Sequence, residues 1–154
     1  MKIISYGAAE VVTGSCHYLS TKEVDFLVDC GMFQGKNENK NYEPIECVVE
    51  DIKFVILTHG HLDHVGRLPL LYKQGFRGVV YATKGTIDIA KIVLNDAANL
   101  MEEDYYTRKR KALRRGEKTK KPLYTTKDVR DMFKNIELID VKYNKKIKLT
   151  KDIQ

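Results

Sequence analysis

Three of the four histidines in this 154-residue chain fall within six residues, in Thr58-His59-Gly60-His61-Leu62-Asp63-His64. Imidazole nitrogen and carboxylate oxygen are the donors that suit zinc and related divalent ions, and they are positioned most easily on a loop anchored by a rigid strand. His59 and His61 would share a face if that strand continued. Asp63 and His64 would not, so the chain must turn for all four to converge, and Gly60 is read as the residue that allows the turn. Adjacent Asp63 and His64 can address a second ion beside the first. The alternative, histidines that merely cap a strand-to-helix turn, is disfavoured by this spacing.

A second feature is electrostatic. Between Arg108 and Lys121 there are nine basic residues and one acid, a local charge of +8, while the net charge of the whole chain is +6. The basic character is therefore local, and a concentrated positive segment neutralises phosphates and releases counterions. Arg108, Lys109, Arg110, Lys111, Arg114 and Arg115 are the candidate nucleic-acid contacts. A solvated helix end followed by a loop is the plain alternative. Gly116 and Pro122 interrupt the segment, so 108–121 is expected to run from a frayed helix end into a mobile loop.

The elements that must hold these residues alternate between strand and helix. Lys2–Tyr6, Cys16–Leu19 and Val24–Asp29 are short, β-rich and separated by turn signals, which predicts an antiparallel meander. Asn37–Glu46, with three asparagines and Pro44, reads as a surface loop. Phe54-Val55-Ile56-Leu57 is an apolar run of the kind buried on both faces of a sheet, and it ends just before the histidine cluster. Val65, Leu68, Leu71 and Tyr72 then follow helical spacing, with Gly75 placed to end the helix and Pro69 pointing to an irregular start. Val79–Ala82 predicts a strand. Ile87, Ala90, Leu94, Ala97, Met101 and Tyr105 make one apolar stripe along a longer helix. Thr125-Thr126-Lys127-Asp128 fits a capping box for a further helix. Glu137–Val141 and Lys146–Leu149 read as closing strands. Interspersed helices and strands indicate an α/β layered fold.

The histidine motif H-x-H-x-D-H after a hydrophobic strand resembles that of the metallo-β-lactamase fold. Gly7-Ala8-Ala9-Glu10-Val11-Val12-Thr13-Gly14-Ser15-Cys16, Asp29-Cys30-Gly31-Met32-Phe33-Gln34-Gly35 and Leu123-Tyr124-Thr125-Thr126-Lys127-Asp128-Val129 resemble its β-CASP branch, the RNA-processing nucleases that include the polyadenylation-cleavage endonuclease. The resemblance implies the N-terminal half of a four-layered αββα domain, with a mixed, largely antiparallel sheet. It implies that His59 and His61 bind one zinc ion and that Asp63 and His64 bind a second and carry the catalysis. It implies that Asp29, at the end of an early strand, steadies the ligand loop by hydrogen bonds without binding metal. Paired metals in that family bind the scissile phosphate and activate water for in-line attack, with RNA as substrate. The family pattern continues with further ligand histidines, a bridging aspartate and an inserted domain, none of which occurs within 1–154. The chain is therefore read as an N-terminal fragment with partial or no metal, inactive alone.

His17 matches no family ligand and is read as a structural histidine in a strand. Two other functions stay open: a small-molecule hydrolase of the same fold, and a non-catalytic scaffold module. Cys16, Cys30 and Cys47 are odd in number and lack C-x-x-C spacing, which argues against a disulfide framework or cysteine zinc site and for reduced, buried thiols. No apolar run approaches the ~20 residues of a membrane span, and Met1–Glu10 lacks a secretion signal. No membrane partner and a cytoplasmic location are expected, with homo-oligomerisation through apolar surface left uncovered in a half-domain.

Overall fold

A computed structural model describes all of residues 1–154. Six strands form one sheet in the order β1-β2-β3-β4-β5-β6: Lys2–Gly7, Cys16–Ser20, Asp25–Val28, Ile52–Ile56, Val79–Ala82 and Glu137–Asp140. The first three form the expected antiparallel meander, while β3-β4, β4-β5 and β5-β6 pair in parallel. The sheet is mixed, as expected, but parallel pairings outnumber antiparallel ones by three to two. The cause is connectivity, because every link after β3 is a long crossover and none is a hairpin.

The crossovers supply the helices. Between β3 and β4 the expected loop is instead largely a 3-10 helix, Gly35–Tyr42. The buried Asn41 side chain pins it by accepting from Phe33 N–H and donating to Phe33 C=O, both at 2.8 Å. Between β4 and β5 lie α1 (Leu62–Val65) and α2 (Leu68–Lys73), so the periodic stretch splits where Gly66 and Arg67 intervene and Pro69 sits in the first turn of α2. Between β5 and β6 run α3 (Lys84–Leu113) and α4 (Thr126–Asn135). The capping box of α4 is formed: the Thr125 hydroxyl accepts from Asp128 N–H, and the Asp128 carboxylate accepts from Thr125 N–H at 2.8 Å. Lys146–Leu149 forms no strand. Leu149 N–H instead donates to Ile153 C=O, which folds this segment on itself.

Leu27, Val55 and Val80 stand in register across β3, β4 and β5, fully buried beneath the helices with Leu71, Leu94, Val129 and Met132. Each such side chain contributes about 1.5–3 kcal/mol of burial. On α3 the buried stripe is Ile87, Ala90, Leu94 and Ala98, so Ala98 takes the inward place expected for the half-buried Ala97. The opposite face of the sheet stacks Phe26 on Phe54, ring centroids 4.7 Å apart, with Tyr81 edge-on to Phe54. Cys16 and Cys30 are buried, Cys47 is half-buried and all three are free thiols. A hydrogen bond with Cys16, reinforced by burial, holds Cys30 well above the ordinary thiol range, so it stays protonated and inert.

Candidate metal centre

The ligand loop leaves the C-terminal end of β4, the buried central strand, and closes into the first turn of α1, where His61 is the N-cap and its C=O accepts from His64 and Val65 N–H. The turn brings the four donors together as two pairs. His59 Nε2 lies 3.2 Å from His61 Nδ1, and Asp63 Oδ2 lies 3.6 Å from His64 Nε2. The His59 and His64 rings sit side by side at 3.9 Å, so the pairs are adjacent. No three His, Cys, Asp or Glu side chains close around one point.

Hydrogen bonds set which ring atom each histidine offers. Asp29 is 2% exposed, and its carboxylate accepts from Ser15 Oγ (3.0 Å), Thr58 N (2.9 Å), Thr58 Oγ1 (3.0 Å) and His64 Nδ1 (2.7 Å). A proton held on His64 Nδ1 leaves Nε2 with its lone pair toward Asp63. Thr58 Oγ1 donates to Asp29 and can therefore accept from His59 Nδ1, 3.0 Å away, which frees His59 Nε2 toward His61. Two nitrogens bound about 2.0–2.1 Å from one tetrahedral zinc lie roughly 3.3 Å apart, so the His59–His61 spacing fits a shared divalent ion. The donor set thus fits the metal chemistry expected of it, and the Asp29 carboxylate is hydrogen-bonded to Thr58 and His64.

Backbone contacts brace the loop from a second side. Asp29 adopts φ 60°, a left-handed conformation that aspartate tolerates better than most residues. It turns the chain so that Cys30 N–H reaches His64 C=O at 2.8 Å and Met32 N–H reaches Leu62 C=O at 3.0 Å. Ser15 N–H donates to Asp63 C=O at 2.9 Å, and Ser15 C=O accepts from Gly31. A Cβ on Gly31 would lie 1.7 Å from Asp63 O, so only glycine lets the segment after β3 approach α1 this closely. Gly60 also has a different role from the one expected. Its φ is not positive, and a Cβ there would meet Ile89 Cγ2 at 2.6 Å, so it admits α3 against the loop. Spacing alone does not single out Ser15, Gly31 or Thr58. The hydroxyl of Thr58 at the end of a buried strand is the one local signal for any of them.

His17 lies apart from the donors, with Nδ1 3.0 Å from Ser5 Oγ and Nε2 3.4 Å from Ser15 Oγ. The basic segment is farther away. Arg108, Lys109, Arg110 and Lys111 lie on the last turns of α3, and Arg114 and Arg115 follow its end. Ile89, against the ligand loop, precedes Leu113 by 24 residues of continuous helix, so about 36 Å separates them at 1.5 Å per residue.

The Metallo-beta-lactamase superfamily domain matches residues 18–154. The chain belongs to that superfamily. Ribonuclease TTHA0252 of Thermus thermophilus is 49% identical over 106 residues, 69% of this chain and 25% of its own length. Transcription termination factor FttA of Methanocaldococcus jannaschii is 31% identical over 142 residues, 91% of this chain and 20% of its own. The Integrator complex subunit 11 homolog of Dictyostelium discoideum is 31% identical over 110 residues, 67% of this chain and 15% of its own. The chain thus spans a quarter or less of these relatives, which bear out the resemblance to the RNA-processing branch. Membership of the Metallo-beta-lactamase superfamily implies a divalent metal. No helix is long and apolar enough to cross a membrane.

Proposed function

We propose that this chain is the N-terminal part of the catalytic domain of a zinc-dependent RNA nuclease. The observation that carries the reading is the pairing of His59 Nε2 with His61 Nδ1 and of Asp63 Oδ2 with His64 Nε2, on a loop locked by Asp29. His59 and His61 would hold one zinc ion, and Asp63 and His64 the other. Bound there, the ions supply Lewis-acid stabilisation of a phosphodiester and a nucleophile at neutral pH. The protein orients: Asp29 keeps the His64 proton on Nδ1, Thr58 does the same for His59, and the Ser15 bond to Asp63 C=O fixes the peptide that carries the carboxylate. Two donors per ion fall short of four, so these residues bind zinc weakly and complete the centre only with donors from outside 1–154. Ribonuclease and Integrator relatives support RNA over a small-molecule substrate, as does the +8 segment. Processing of RNA by such an enzyme is consistent with a cytoplasmic location.

A complete catalytic domain should cleave single-stranded RNA with zinc, stop when the metal is chelated, and lose cleavage on His59→Ala or Asp63→Ala. The isolated chain should show none. Hydrolysis of a thioester or lactam but not of RNA by the complete domain would overturn the reading.

A further inference from the structure

Beyond Leu113 the chain turns back, and the end of the basic segment lies on the 3-10 helix of Gly35–Tyr42. Lys120 Nζ sits 3.2 Å above the centre of the Tyr42 ring. Tyr42, Lys73, Gln74, Lys120 and Lys121 line a cleft of about 410 Å³. A smaller hollow beside it joins Tyr42 to Tyr105 and Arg108, and Tyr106 stands next to Tyr105 with ring centroids 5.6 Å apart. Tyr42 and Tyr106 are exposed, so their ring faces are open to a stacking partner. The nearby acids are largely matched: Asp104 pairs with Arg108 at 2.8 Å and Asp128 with Lys73 at 3.2 Å, leaving Glu43 at the rim. Lys109, Lys120, Lys121 and the arginines after Leu113 are left as free cations. Gln74 Oε1, behind the cleft lining, is buried without a hydrogen-bond partner.

Aromatic faces interleaved with free cations are what a single strand requires, since bases stack on the rings while ammonium and guanidinium groups follow the phosphates. We propose that Tyr42, Tyr105, Lys120 and Lys121 form a second binding site for single-stranded RNA, remote from the metal pair. This rests on the reading of RNA as the substrate and goes beyond it, because Tyr105 follows Ile89, the residue against the ligand loop, by 16 residues of α3, about 24 Å along the helix. An arriving base displaces the Lys120 ammonium from the Tyr42 ring, and the ammonium moves to that nucleotide's phosphate. Bound strand reaching from this site to the metals spans about seven nucleotides at 3.4 Å each.

The test is fluorescence anisotropy of a labelled twelve-residue oligouridylate with the full chain, in chelator so that nothing is cleaved. Tyr42→Ala should weaken binding about 5- to 150-fold, the loss of one base stack, while Tyr42→Phe retains it. Lys120→Ala with Lys121→Ala should lower the slope of log affinity against log salt by about 1.4. Tyr143→Ala, which removes an exposed aromatic ring outside the cleft, should bind as the unaltered chain does. Thermal melts of these surface variants should match the parent. Unchanged affinity in Tyr42→Ala, or equal competition by an RNA duplex, overturns this site and leaves the nuclease reading standing. Absence of binding by the unaltered chain overturns the RNA reading with it.

Discussion

Replacing Asp29 by asparagine tests how the ligand loop is ordered. Asparagine is close in shape and tolerates the φ of 60° at this position, so the backbone turn survives. What changes is the sign of one hydrogen bond. The carboxylate accepts from Ser15, from Thr58 twice and from His64, and an amide has one oxygen to offer them. With that oxygen on Thr58, the amide N–H₂ faces His64 Nδ1–H, 2.7 Å away in the parent. Two donors in opposition, one buried and one half-buried, cost about 1–3 kcal/mol. His64 escapes by moving its proton to Nε2, the atom that faces Asp63. Zinc then competes with a proton at its own ligand, and affinity at the Asp63–His64 pair should fall about 10–100-fold, equivalent to roughly 1.4–2.7 kcal/mol. Nitrogen chemical shifts of the His64 ring should report Nδ1–H in the parent and Nε2–H in Asp29→Asn, with metal affinity following from chelator competition. An unmoved His64 proton together with unchanged zinc affinity would refute the reasoning.

Other perturbations follow from single contacts. Gly31→Ala drives a Cβ to 1.7 Å from Asp63 O and should destabilise by about 3 kcal/mol or more in urea unfolding, because the obstacle is backbone. Gly60→Ala should be only partly rescued by Ile89→Ala, which removes the Cγ2 at 2.6 Å but leaves the Cβ at 2.8 Å, and a double-mutant cycle measures this coupling. Desolvation opposes ionisation of Asp128, but the Thr125 N–H and hydroxyl and the Lys73 ammonium outweigh it and hold the carboxyl below its usual range. Stability from this cap is therefore fully present above the unfolded value near pH ~3.9 and fades as pH falls through the folded one; Asp128→Ala should flatten that acid limb of the stability curve. Ile3, Leu19, Phe26, Phe54 and Val79 run in register across the sheet face opposite the helices, with Ile3 58% exposed, Leu19 and Val79 half-buried and Phe26 and Phe54 buried. The isolated chain should self-associate through that face, and a sedimenting compact monomer that binds no hydrophobic dye would contradict this.

The donors of the metal loop are legible in the chain itself because they are local: four side chains of metal-binding type within six residues, preceded by an apolar strand and followed by a helical period, meet after one turn. Sequence also marks the capping box at Thr125, the meander and the start of the apolar stripe on α3 at Ile87, Ala90 and Leu94, since each depends on neighbours a few residues apart. Tertiary structure decides whatever depends on distant partners. Ser15, Asp29, Thr58 and His64 become one hydrogen-bonded network only when β2, β3 and β4 lie side by side, and Gly31 and Gly60 prove to be points of close approach to Asp63 and Ile89. Lys146–Leu149 has strand-like composition, yet β-structure is a property of a pair, and its hydrogen bonds go to its own turn. The basic segment shows the same division. Its charge is a matter of composition, but its place is set by α3, which starts against the ligand loop and carries that charge about 36 Å away before folding it onto Tyr42. Hydrogen bonds and steric contacts act over a few ångströms of space and not of chain, so the chemistry of a residue is written at its position while its partners are chosen by the fold.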